Sequence, residues 1–128
     1  MKKLISALAI ASLAGCATPP TREEISQADY GTPMTPAQCQ ATAEAFIKST
    51  LKDPSSAQFI SKGPCFAGWT KASPILGGQV NYGYQQEGAV NSKNSYGGYA
   101  GFQQYTAIIK NGVVIDYCLR SQQSGLCL

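Results

Sequence analysis

Five cysteines and no histidine in 128 residues limit the folds and chemistries open to this chain more than any other feature. Without an imidazole, neither a Ser-His-Asp nor a Cys-His arrangement can be built, and a serine hydrolase would need lysine as its base. Cys39, Cys65, Cys118 and Cys127 contain no Cys-x-x-Cys spacing. Zinc ligation and thioredoxin-type exchange therefore lack their usual motifs, and no metal or cofactor is expected. Four thiols in an oxidising compartment instead predict two disulfides.

The N-terminus points to such a compartment. Met1-Lys2-Lys3 precedes a run of apolar and small residues from Leu4 to Leu13, followed by Ala14-Gly15-Cys16. A charged start, a short apolar stretch and small residues before a cut mark an export signal, and the run is too short to span a bilayer. Leu13-Ala14-Gly15-Cys16 resembles the lipobox of bacterial lipoproteins. That resemblance implies removal of residues 1–15, lipidation of Cys16 and attachment to the membrane through more than one acyl chain. Each buried methylene contributes about 0.8 kcal/mol, so two or more chains anchor stably. Ala17 stands where enterobacterial lipoproteins kept at the inner membrane usually carry Asp. The expected address is the outer membrane, with the domain facing the periplasm.

After Cys16, eight lysines and arginines oppose seven acids, a net charge of about +1 against +3 for the whole chain. Lys2 and Lys3 account for the difference. No basic patch argues for nucleic acid, and the export route argues against it as well. Residues 16–34, with Pro19, Pro20 and Pro33 and no apolar period, read as the lipidated anchor and a flexible tether. Arg22-Glu23-Glu24 suits a transient turn and Ala28-Asp29-Tyr30-Gly31 a docking segment, but a solvated linker is the expectation. Residues 35–128 form one small domain for which disulfides would be significant staples.

Thr35-Pro36-Ala37-Gln38 reads as a capped helix start, with proline at the first helical position. Cys39, Ala43, Phe46, Ile47 and Leu51 recur at helical spacing, while Gln40, Glu44 and Lys48 lie opposite. Asp53-Pro54 ends the helix. A short strand over Ala57–Ser61 then returns along it. Twelve helical steps span about 18 Å and six extended residues about 20 Å, which brings Cys65 beside Cys39. Closing that loop contributes about 3 kcal/mol in the chain-entropy account. Cys118 and Cys127 are left to close a C-terminal loop.

The second half alternates like strands. Val80, Tyr82 and Tyr84 start a run toward Val90, with a bulge expected near Gly88. Tyr99–Lys110 and Val113–Cys118 flank Asn111-Gly112, the signature of a type I′ hairpin. The expected fold is α+β: one N-terminal helix packed on a small antiparallel β-meander, with two disulfides.

Leu51 to Phe59, containing Asp53-Pro54-Ser55-Ser56-Ala57-Gln58-Phe59, and Asn91 to Phe102, reading NSKNSYGGYAGF, together resemble a family of small proteobacterial lipoproteins. Ala28-Asp29-Tyr30-Gly31 resembles the segment that follows the anchor in that family. The likeness covers most of the mature chain and implies an envelope lipoprotein. It carries no catalytic residues across, and the Gly83-Tyr84 region lacks a cysteine found in some members, so their disulfide pattern does not transfer.

The segment after Asn91 is the candidate binding loop, through Asn91, Lys93, Asn94, Tyr96 and Tyr99. Amides, a lysine and tyrosines suit a polar ligand such as a glycan or a peptidoglycan stem peptide. In the structural reading, the asparagines bond turn backbone and Gly97 and Gly98 take positive φ. Glu44, Asp53, Glu87 and Asp116 are scattered, so paired carboxylate chemistry has no local signature, and no enzyme is expected. Asp116 reads as an outward-facing strand residue, and Trp69 as a cap on the core or, if exposed, a binding group. A structural or protein-interaction role at the envelope is the first expectation. A small-ligand or peptidoglycan-binding lipoprotein is the alternative.

Overall fold

The computed structural model describes residues 18–72, 75 and 77–127. The expected signal peptide and the lipidation site Cys16 lie outside them. Among the described residues, two α-helices, α1 (Arg22–Gln27) and α2 (Pro36–Thr50), precede five strands: β1 (Gln58–Ser61), β2 (Phe66–Lys71), β3 (Val80–Asn91), β4 (Gln103–Lys110) and β5 (Val113–Leu119). The long helix is therefore not the first element. No helix of the described residues is long and apolar enough to cross a membrane.

The start of α2 follows from its sequence. The Thr35 side chain accepts from the Gln38 N–H at 3.2 Å, and Gln38 returns a bond to the Thr35 backbone at 2.9 Å. These two bonds satisfy donors that the first helical turn would otherwise leave orphaned. Cys39, Ala43 and Ile47 on the inner face are wholly buried, with Phe46 and Leu51 at the border. They pack against Val90, Tyr105, Ala107, Ile109 and Leu119 from one side of the sheet.

The sheet is antiparallel and is not a simple meander. β3, β4 and β5 do follow one another, but β1 and β2 both pair with β3 along the same edge. β1 takes Gly88–Asn91 and β2 takes Val80–Gln85, leaving a corner at residues 62–65 between them. Gln86, 1% exposed, fills this break: its amide donates to the Gly63 carbonyl at 3.1 Å and the Glu87 carbonyl at 2.9 Å. Two disulfides are present, Cys39–Cys65 and Cys118–Cys127. The first ties the corner to α2.

Glycines set the shape. The bulge expected near Gly88 lies instead between β4 and β5, at Ile108/Ile109. Gly88 has another purpose, since a Cβ there would sit 2.5 Å from the Tyr105 hydroxyl. The Tyr105 ring needs that space, and burial pushes its hydroxyl pKa up to about 12. Gly68 pairs with Gly83 across β2 and β3. A Cβ on Gly83 would meet the Ile109 carbonyl at 2.6 Å and Ile108 at 2.8 Å, so this half of the sheet curls tightly toward its helix-free face. The curl brings Thr70 of β2 to Asp116 of β5, although β3 and β4 lie between them in the sheet order.

The segment expected as a solvated linker is docked. Thr21 caps α1 with a reciprocal bond to Glu24, an arrangement that also holds the Glu24 carboxyl below its ordinary range. Tyr30 meets the Tyr82 ring edge-on at 5.8 Å between centroids. Asp29 pairs with Lys110 at 3.3 Å, and the Thr32 N–H donates to Asn111 Oδ1 at 2.8 Å. The Gly31 N–H and Lys110 together lower the Asp29 pKa. Gly31 has φ +81° and touches Asn111 and Lys110, a close approach that a side chain would block.

Candidate functional site

The loop from Ser92 to Phe102 joins the far end of β3 to β4, and its order comes from its own polar side chains. Asn94 Oδ1 accepts the Tyr96 N–H at 2.9 Å and the Gly98 N–H at 3.3 Å. The Asn94 N–H donates to the Gly98 carbonyl at 2.8 Å, and the Gly97 N–H donates back to Asn94 at 3.0 Å. Gly97 takes φ +79°, as expected, but the second positive φ belongs to Gly101 and not to Gly98. The Gly101 N–H donates to Asn91 Oδ1 at 3.1 Å. Both asparagine oxygens thus serve the loop backbone.

The turn after α2 supports the loop from below. The Lys93 N–H donates to Ser56 Oγ at 2.8 Å, and the Tyr99 hydroxyl donates to the Ser56 carbonyl at 3.1 Å. Lys52 reaches Ser95 at 3.1 Å, and the Lys93 ammonium lies 5.7 Å from the centre of the Tyr99 ring. The two segments that stood out in the sequence, Leu51–Phe59 and Asn91–Phe102, form one contiguous unit. The loop candidates are therefore brought together, but in two roles. Asn91 and Asn94 hold the backbone, and Lys93 and Tyr99 brace it. Tyr96 is left 97% exposed at the tip, and the rings of Tyr99 and Phe102 are also exposed.

The helix-free face carries a second site that the sequence reading missed. Its curl makes a groove of about 620 Å³ lined by residues that include Trp69, Thr70, Gln85, Glu87, Asp116 and Arg120. Asp116, expected to face outward, is half-buried there. It accepts from the Thr70 hydroxyl and, at 3.4 Å, from the Asn81 amide. Gln85 donates to Glu87 at 2.9 Å. Two of the four scattered carboxylates, Glu87 and Asp116, thus share one groove, and half-buried Trp69 borders it on β2 with its side chain on the face shared with Tyr82. Asp116 also accepts the Tyr117 N–H at 2.9 Å. That bond occupies a donor on the free edge of β5, a device that blunts strand addition.

The groove had one weak signal, the paired glycines Gly68 and Gly83. Their effect depends on a strand pairing that no local pattern specifies. Asn91, Lys93 and Asn94 do not line the groove. Among the described residues, no three His, Cys, Asp or Glu side chains cluster in a way that would hold a metal ion. Comparison of the chain with protein-family models, with curated proteins and with solved structures finds no match.

Proposed function

We propose that this chain is a lipid-anchored lipoprotein of the outer membrane, with its domain on the periplasmic side and a non-catalytic role in binding an envelope protein. The observation that carries the reading is Tyr96, almost fully exposed on a loop whose backbone is fixed by Asn91, Asn94 and Ser56. An aromatic side chain on a backbone already fixed gives up only its own rotamer freedom on contact, and aromatic residues concentrate binding energy. The lipobox-like Leu13–Cys16 and the likeness of Leu51–Phe59 and Asn91–Phe102 to small proteobacterial lipoproteins support the address.

The test is photocrosslinking in bacterial cells from positions 93 and 96, followed by mass spectrometry of the adducts. Repeated capture of one envelope protein is the expected result. Adducts to peptidoglycan fragments, or no adduct at all, would defeat it. The groove beside Trp69 favours a second reading, a small-ligand or peptidoglycan-binding lipoprotein. Under that reading Glu87→Gln, and not Tyr96→Ala, removes binding. The anchor has its own test: Cys16→Ala should leave the precursor unprocessed and unacylated, and processed, membrane-bound protein from that variant would overturn the anchor.

A further inference from the structure

The contact that fixes the N-terminal end of the described chain bears on which part of the domain a lipid on Cys16 would bring to the membrane. Thr18 lies against the end of β2, where its carbonyl accepts from the Lys71 ammonium. A depression of about 440 Å³ between Thr18–Glu24 and the ends of β2 and β3 is lined by Lys71, Val80 and Tyr82. Cys16 precedes Thr18 by two residues, at most about 7 Å of chain. The headgroup layer on each side of a bilayer is about 5–8 Å thick. A lipidated Cys16 therefore leaves Thr18, and Lys71 with it, no farther out than the headgroups. The long tether read from residues 16–34 does not separate the domain from the bilayer, because all but its first residues are docked.

The connection between β2 and β3 belongs to this same end. Pairing continues past Lys71, where the Ala72 N–H donates to Gln79 at 2.9 Å. Ile75, four residues beyond Lys71, is 95% exposed. An isolated exposed apolar residue is ordinary on a protein surface. Ile75 differs in its place, within about 14 Å of chain from a lysine held at headgroup depth.

We infer that the β2–β3 end of the domain, through Ile75 and Lys71, is a second membrane contact that rests on the phospholipid surface beside the anchor. The inference depends on the lipidation of Cys16 proposed above. Ile75 enters the boundary between headgroups and acyl chains while the Lys71 stem lies along it with its ammonium among the headgroups. The opposite end of β3 then faces away from the bilayer. Twelve strand residues place the Ser92–Phe102 loop about 36 Å along the strand from the membrane contact.

The full chain, produced in bacterial cells with Ile75→p-benzoylphenylalanine or, separately, Tyr96→p-benzoylphenylalanine, tests this by photolysis and mass analysis of lipid adducts. The mass of the Cys16 peptide is read from the same samples. With Cys16 acylated, position 75 should give at least tenfold more phospholipid adduct than position 96. Acylated Cys16 with equal or no lipid adduct at 75, or with protein adducts there instead, overturns the membrane contact and leaves the anchor intact. Unacylated Cys16 overturns the anchor and the contact together.

Discussion

The two ends of β3 are ordered by different means. At the Val80 end, order arrives from distant sequence: Thr18 reaches Lys71, Tyr30 packs on Tyr82, and Thr32 reaches Asn111. At the Asn91 end, most of the order is local, because Asn91 and Asn94 bond backbone within ten residues of themselves. Local bonds close small loops and lose little chain entropy, whereas the N-terminal contacts must hold a long excursion in place. The Asn91 end can therefore stay fixed while it displays its rings. The Val80 end is paired with β2 in the sheet, but its further order lasts only while the N-terminal segment is docked.

The Cys39–Cys65 bond lies between the two ends and holds the corner on which both edge strands depend, so its loss should disturb both. Replacing Cys39 and Cys65 together by Ala should cost about 3.5 kcal/mol in the chain-entropy account, and the same change at Cys118 and Cys127 about 2.6 kcal/mol. Urea unfolding of the two double variants measures this order. If the C-terminal pair proved the costlier, the corner would not be the element that the two ends share.

Gly83→Ala tests the curl of the Val80 half. The new methyl would meet a backbone carbonyl at 2.6 Å, and a strand cannot yield as a flexible side chain can. A loss of about 1–3 kcal/mol is expected. The Asn91 loop should keep its amide protection from hydrogen exchange. Loss of protection at both ends would show that the sheet curls as one unit.

These cases also show what the sequence could reveal. The Thr35–Gln38 box and the Asn111-Gly112 turn are contained in a few adjacent residues, and both formed where expected, with φ 52° at Asn111 and 77° at Gly112. Strand β2 was not legible. Gly68 interrupts its apolar pattern, and its partner is available only because β3 runs long enough to hold two strands end to end. The docking of Tyr30 depends on Tyr82, 52 residues later, and nothing local distinguishes that tyrosine from one in a solvated linker. Asp116 reads as outward-facing from strand alternation, and the curl that brings Thr70 against it depends on a strand pairing that no local pattern carries. The roles of Asn91 and Asn94 as turn scaffolding were visible as one of two readings, since amides beside glycines form such turns readily.

Tyr30→Ala should loosen only the Val80 end. An edge-on aromatic pair contributes about 0.5–1.5 kcal/mol beyond its buried area. Hydrogen exchange should quicken at Thr32 and at residues 80–82 and remain unchanged at residues 94–98. A change at the loop would mean that the two ends communicate.

Tyr105 supplies a control near the middle of the sheet. Its hydroxyl is buried with no hydrogen-bond partner among the described residues, so Tyr105→Phe should change stability at neutral pH by no more than about 1 kcal/mol, in either direction. The effect of pH is more specific. The folded-state pKa, about 12, lies above the ordinary tyrosine value, so the neutral ring favours the fold below pH 10. That contribution is lost as pH rises from about 10 through 12, because the unfolded chain releases its proton first. In Tyr105→Phe this step of the alkaline titration should disappear.

The smallest change in stability should accompany the largest change in binding. Tyr96 makes no contact that its removal would break beyond the loop backbone, so Tyr96→Ala should leave global stability within about 0.5 kcal/mol. Asn94→Ala removes the acceptor for two loop N–H groups and should free residues 94–98 to exchange while the sheet remains protected. If the loop binds a partner as a preorganised surface, both variants should reduce capture, Tyr96→Ala by loss of the contact itself and Asn94→Ala through the entropy of ordering the loop anew. A variant with a mobile loop and undiminished capture would show that the local hydrogen bonds serve only the fold. The contrast between the two ends of β3 would then concern stability alone, and the groove beside Trp69 would become the stronger candidate for function.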